Sequence, residues 1–100
     1  MKLDEQQQKT YEQAKGAYVS ALIGAMPSLG LANAYRTITE PSLLDKKNSE
    51  AQQARRRLVQ TLHHAFGSDV AAGLLRIDLK TYNRMINDNT KKGVRSYFAS

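Results

Sequence analysis

The stretch from Ser68 to Asn87 constrains the fold most, because it has the pattern of two short helices joined by a tight turn. Ser68 and Asp69 are residue types that start a helix, and an apolar stripe follows at helical spacing: Val70, Ala71, Leu74 and Leu75. Asp78 is placed to cap a second helix that runs from Leu79 to about Asn87. We expect this helix to turn Tyr82, Met85 and Ile86 inward and to leave four residues outside: Lys80, Thr81, Asn83 and Arg84.

Two helices joined in this way form the outline of a helix-turn-helix, whose second helix lies in the major groove of DNA. The residues follow the gapless pattern Ala71-Ala72-x-Leu74-Leu75-x-Ile77-x-x-x-Thr81-Tyr82-x-x-x-Ile86. This pattern resembles the C-terminal DNA-binding end of the Fis family, which NtrC-type bacterial activators also use. The resemblance covers about 20 residues and implies a helix-turn-helix that contacts double-stranded DNA.

Three positions depart from that family pattern. Arg76 stands where the family usually has a glycine that allows positive φ. Asp78 is an acid close to where a phosphate would lie, and Leu79 stands where the family often has arginine. These departures favour a second hypothesis, in which the two helices only pack and the chain binds another protein.

Charge is unevenly distributed along the 100 residues. Residues 1–45 hold four Lys and Arg against five Asp and Glu, a net charge of −1. Residues 46–100 hold eleven against four, a net charge of +7. The positive excess thus lies with the candidate helix-turn-helix, as a polyanion-binding module requires, although basic residues also simply solvate helical surfaces.

The N-terminal part predicts two helices. One runs from Asp4 to about Met26 with an apolar stripe that includes Tyr11, Tyr18 and Leu22 and that is also suited to a dimer seam. Gly16 and Gly24 either weaken this helix or mark the close approach of another. The other runs roughly from Leu31 to Thr39 and is expected to bury Leu31, Tyr35 and Ile38.

A longer helix is predicted from Glu50 to Phe66, capped by Ser49 and stopped by Gly67. We expect Arg55, Arg56 and Arg57 to spread over its outer circumference and these residues to form its buried stripe: Ala51, Ala54, Leu58, Leu62, Ala65 and Phe66. The prediction is one all-α domain over residues 1–100, of about five helices, with a helical dimerisation part at 1–40 and the helix-turn-helix part at 49–90.

Several classes of protein do not fit the sequence. There is no cysteine, and His63 and His64 are adjacent on a helix without a glutamate at metalloprotease spacing, so no metal site or cofactor is predicted. No phosphate-binding loop, nucleophile elbow or spaced pair of carboxylates indicates an enzyme. The N-terminus lacks the apolar core of a signal peptide and the most apolar run is too short to span a membrane. We therefore expect a cytoplasmic protein with no membrane contact.

Our first hypothesis is a small basic DNA-binding protein, a transcriptional regulator or nucleoid-type factor that acts as a homodimer. Asn83, which can pair with adenine, and Arg84 would contact bases or adjacent groups. The remaining residues would hold the helix on the phosphate backbone: Arg76, Lys80, Thr81, Lys91, Lys92 and Arg95.

The alternative hypothesis is an adaptor or inhibitor that binds a protein, such as a phage- or plasmid-type regulator of a host nucleic-acid machine. In that case the chain does not bind DNA itself, and its basic face meets an acidic surface of the partner.

Overall fold

The computed structural model describes the backbone of residues 2–91 and the side chains of residues 2–86. This part of the chain has five α-helices, two single turns of 3₁₀ helix and no strand. The helices are α1 (Glu5–Ala25), α2 (Leu31–Arg36), α3 (Ser49–Phe66), α4 (Ser68–Leu75) and α5 (Leu79–Lys91). The predicted all-α fold is therefore confirmed. Within the described residues, no helix has the length and apolar character needed to cross a membrane.

Helix α1 begins with a reciprocal cap between Asp4 and Gln7. The Gln7 N–H donates to the Asp4 carboxylate at 2.7 Å, and the Asp4 N–H donates to the Gln7 side-chain oxygen at 3.1 Å. This capping box satisfies N–H groups that the start of a helix leaves without partners. Both ends of α1 lie within one residue of the prediction. A Cβ on Gly16 or Gly24 would meet nothing within 4 Å, so neither glycine marks a close helix contact.

The core lies between α1 and α3 and continues beneath α4 and α5. Its buried apolar side chains in these four helices are Tyr18, Val19, Leu22, Ala51, Ala54, Leu58, Val59, Leu62, Ala71, Ala72, Leu75 and Tyr82. Asn48 joins the end of α1 to the start of α3. Its amide nitrogen donates to the Ala25 carbonyl at 3.0 Å, and its amide oxygen accepts from the Ala51 N–H at 3.0 Å. Asn48, and not the predicted Ser49, is thus the N-cap of α3.

The face that α2 turns to the core differs from the prediction. Leu31 and Tyr35 were expected to be buried, but they are 60% and 44% exposed. The helix ends at Arg36 instead of continuing to Thr39, so Ile38 is buried from a turn and does not share a helical face with them. Thr37 fixes this arrangement, because its hydroxyl lies 2.6 Å from the Tyr18 hydroxyl and donates to the Ala34 carbonyl.

The three consecutive arginines of α3 do not all lie on its outer surface. Arg55 is 6% exposed, which contradicts the prediction. Its Nη1 donates to the carbonyls of Thr37 and Ile38 at 3.0 and 2.8 Å, in the turn that follows α2. A buried guanidinium is tolerated here because it satisfies carbonyl groups that would otherwise lack partners. Arg56 and Arg57 are exposed.

Ala65 was also predicted to be buried, and it is exposed. At the C-terminus of α3, Phe66 is the residue that packs against the buried cluster. The chain then turns at Gly67, whose φ of 84° favours glycine, and enters α4. Gly67 is also the N-cap of α4, so Ser68 lies within the helix and not at the predicted cap position.

Candidate nucleic-acid interface

A three-residue turn, residues 76–78, separates α4 from α5. Arg76 has φ 57° and ψ 43°, in the left-handed region, which costs a non-glycine residue about 1 to 2 kcal/mol. Its N–H donates to the Gly73 carbonyl, and the Ile77 N–H donates back to the Ala72 carbonyl at 2.9 Å. The chain therefore reverses as in a Schellman motif, with arginine in the conformation that usually selects glycine.

Asp78 caps α5 as the sequence predicts. One carboxylate oxygen accepts from the Thr81 N–H at 3.0 Å, and the other accepts from the Thr81 hydroxyl at 2.7 Å. These hydrogen bonds hold the pKa of the Asp78 carboxyl below its usual value, and the one from the Thr81 hydroxyl has the larger effect. The acid is thus used for capping, and the hydroxyl proton of Thr81 is directed to Asp78 and not to solvent.

Tyr82 fixes the rotation of α5 about its axis. Its side chain is fully buried, and its hydroxyl lies 2.9 Å from His63 Nδ1 on α3. The two rings are also stacked, with centroids 6.1 Å apart. Burial raises the pKa of Tyr82 to about 12. Burial also lowers the pKa of His63, and the neighbouring His64 lowers it further.

With Tyr82 turned inward, the opposite side and both flanks of α5 face solvent. All four residues that the sequence places there are exposed: Lys80, Thr81, Asn83 and Arg84. Residues four apart on a helix are neighbours, so Lys80 lies next to Arg84 on one strip and Leu79 lies next to Asn83 on another. Arg76 is exposed in the turn just before this surface. We call this set of six side chains, Arg76, Leu79, Lys80, Thr81, Asn83 and Arg84, the α5 surface.

The other predicted DNA-binding residues lie at or beyond the end of the described chain. Lys91 is the last residue of α5, and its side chain is outside the described residues. Lys92 and Arg95 also lie outside the described residues. The structure thus brings five of the eight predicted residues to one surface and leaves these three as predictions.

Two features of this region were not found from the sequence. The hydrogen bond between His63 and Tyr82 joins residues 19 apart, and no local pattern identifies such a partner. Leu79 is 42% exposed at the first position of α5, although a leucine there would ordinarily be assigned to the core. Helical spacing alone points Leu79 toward the core, because Tyr82 and Ile86 follow it three and seven residues later.

A second surface is a groove of about 370 Å³ between α1 and α3. Its walls are mostly small or apolar: Ala14, Ala17, Tyr18, Ala21, Ala54 and Leu58. Arg57 and three uncharged polar residues complete the lining: Thr10, Gln13 and Thr61. We call this recess the α1/α3 groove. Its composition fits an apolar protein segment better than a nucleic acid backbone, which calls for several cations.

Among the described side chains, no group of three or more His, Asp or Glu residues is arranged to hold a metal ion. Comparisons of the chain with protein-family models, with curated proteins and with solved structures found no match.

Proposed function

We propose that the protein binds double-stranded DNA by placing α5 in the major groove. The observation that carries this proposal is the α5 surface, where Lys80 and Arg84 are exposed on the side of the helix opposite the buried Tyr82 and Asn83 is exposed on the flank beside them. A helix is about as wide as the major groove, and an exposed amide with flanking cations suits base edges and phosphates. A short turn before this helix and a longer supporting helix, α3, agree with a helix-turn-helix.

Each side chain has a distinct part in this proposal. Asn83 pairs with adenine, and Arg84 contacts a base or an adjacent group. Arg76 and Lys80 position the helix on the phosphate backbone. Thr81 joins them when its hydroxyl proton turns from Asp78 to a phosphate oxygen, which can only accept a hydrogen bond. Three further cations extend this phosphate contact: Lys91, Lys92 and Arg95.

The proposal is tested by replacing Arg84 in a protein for which a preferred duplex has been selected from random sequences. Arg84→Ala should weaken binding to that duplex by roughly 5- to 100-fold, the effect of losing a base contact. Arg36→Ala is the matched control. Arg36 is exposed on α2, and its replacement removes the same charge at a position far from α5 along the chain. Equal affinity for the wild type and Arg84→Ala would remove the assignment of α5 as the reading helix.

We further propose that the protein acts as a homodimer through the α1/α3 groove. Dimeric helix-turn-helix proteins bind two half-sites about one helical turn apart, and a chain of 100 residues gains stability by sharing apolar surface. Ala17→Arg puts a long charged side chain into the groove and should give a monomer in sedimentation velocity. Ser20→Arg is the control, because Ser20 is exposed on α1 and does not line the groove. A monomeric wild type at all concentrations would contradict this part.

One observation favours the second candidate function, that of a protein-binding adaptor or inhibitor. Leu31 and Tyr35 are four residues apart on α2 and both are exposed, so they form a small apolar patch. Under this alternative, Leu31→Ser with Tyr35→Ser should abolish the capture of a specific partner protein, whereas Arg84→Ala should have no effect on it. Selective duplex binding that survives the change on α2 would favour the first function.

A further inference from the structure

Leu79 is an unusual residue for the surface on which it lies. The described side chains include three exposed large apolar residues, and Leu79 is the one that belongs to α5. It is the first residue of that helix, directly after the Asp78 cap. The two hydrogen bonds between Asp78 and Thr81 fix the backbone on either side of it, so its side chain leaves the helix at a defined place.

Leu79 lies at the edge of the buried side of α5: Tyr82, three residues later, is its apolar neighbour, and its exposed neighbours are polar or cationic. Asn83 follows four residues later on the same strip, about 6 Å further along the helix axis. Lys80 and Arg84 form the adjacent strip and make this side of α5 positive. An apolar partner protein would leave these two cations and the Asn83 amide without partners, whereas a duplex offers phosphates, base edges and one apolar group together.

That apolar group is the C5 methyl of thymine, which only A·T and T·A pairs present in the major groove. We propose that Leu79 is a specificity-determining residue that packs on a thymine methyl, while Asn83 pairs with an adenine nearby. The ligand is therefore a duplex whose half-site contains a thymine and an adenine within about two base-pair steps, the distance that separates Leu79 from Asn83. This inference rests on the proposed DNA-binding function and adds the bases that are read.

The hydrogen bonds of the Asp78 carboxylate argue against recognition of cytosine at the start of α5. A carboxylate in a recognition helix can accept a hydrogen bond from the amino group of cytosine. Here both carboxylate oxygens of Asp78 already accept from Thr81, so this acid serves the helix start. Leu79 is then the side chain at the beginning of α5 that has contact area to offer to a base.

The experiment uses deoxyuridine, which differs from thymidine only in lacking the methyl group. A preferred duplex is first selected with the wild-type protein, and each thymine is then replaced singly by deoxyuridine. At one position per half-site the wild type should bind about three- to five-fold more weakly, the effect expected from exposing one methyl group. Leu79→Ala should bind the thymine duplex more weakly and should show no further loss with deoxyuridine at that position.

Leu31→Ala is the matched control, because Leu31 is also an exposed leucine but lies on α2; this variant should keep the full response to deoxyuridine. Circular dichroism of Leu79→Ala should match the wild type, since the side chain is not part of the buried core.

Four results would overturn the inference, and they differ in whether the proposed function survives. Selective duplex binding that is insensitive to deoxyuridine at every position, or a deoxyuridine effect that persists fully in Leu79→Ala, excludes Leu79 as a reader and leaves the proposed function in place. The absence of any preferred duplex removes the proposed function as well. A preferred duplex without thymine would also exclude Leu79 as a reader.

Discussion

The Tyr82 hydroxyl lies 2.9 Å from Nδ1 of His63, and this contact joins α5 to α3. Because Tyr82 is fully buried, its position determines which side of α5 faces solvent. The hydrogen bond to His63 stabilises this packing of α5 on α3.

Tyr82→Phe should test this connection. The change removes the hydroxyl and leaves a partly buried histidine nitrogen without this hydrogen bond, so the free energy of unfolding should fall by about 1 to 2 kcal/mol. Urea denaturation measures the loss. Tyr35→Phe is the control, since Tyr35 is 44% exposed, and it should change stability by less than about 0.5 kcal/mol. Equal stability of Tyr82→Phe and the wild type would contradict the role given to this contact.

The His63 environment predicts a pH dependence. Burial first, and then His64, lower the pKa of His63 in the folded state, whereas the unfolded chain titrates near 6.5. The unfolded state therefore binds more protons in this range, and stability should fall as the pH drops through 6.5 toward the lower pKa of the folded protein. The lowered pKa values of Asp78 and Glu12 act at more acidic pH and do not obscure this window.

Urea midpoints between about pH 7.5 and 5 measure the effect. His63→Gln should flatten the decrease, while His64→Gln should retain most of it because burial is the larger cause. A decrease that is unchanged in His63→Gln would show that another group is responsible.

Arg55 and Arg56 are adjacent in sequence but should differ greatly in their effect on stability. Arg55→Ala leaves the carbonyls of Thr37 and Ile38 without their buried donor and should cost about 2 to 4 kcal/mol. Arg56→Ala removes an exposed side chain and should cost less than about 0.5 kcal/mol. Thermal unfolding of the two variants provides the comparison. Similar melting temperatures would mean that Arg55 does not stabilise the turn after α2.

Two glycines should respond in opposite directions to alanine. Gly16 lies inside α1 with open space around the position of a Cβ, so Gly16→Ala should raise stability by about 0.5 to 1 kcal/mol. Gly67 has φ 84°, which alanine adopts only with strain, so Gly67→Ala should lower stability by about 1 kcal/mol or more. Denaturation midpoints measure both changes. Stabilisation by Gly67→Ala would contradict the conformation of the turn between α3 and α4.

Local features of the fold were predictable because they depend on residues close in sequence. The capping of α5 by Asp78 and the inward orientation of Tyr82 follow from cap chemistry and helical spacing. The exposure of Lys80, Asn83 and Arg84 follows from the same spacing.

The errors arose where a distant contact decides the outcome. Arg55 is buried because the turn after α2 offers two carbonyls, 17 and 18 residues away, which no spacing in α3 indicates. Leu31 and Tyr35 were assigned to the core on the assumption of a longer helix. That helix ends early, and Thr37 instead meets Tyr18 on α1. His63, the hydrogen-bond partner of Tyr82, is 19 residues away and is likewise not indicated by any local sequence pattern.

A mobility-shift titration of the wild-type protein against random and selected duplexes, at about 50 and 200 mM salt, tests the central claim most directly. DNA recognition by α5 predicts a preferred duplex whose advantage over random duplexes stays at roughly 10³-fold or more at the higher salt. Binding to every duplex that weakens in parallel as salt rises, with no preferred sequence, would contradict that claim, and so would the absence of any shift.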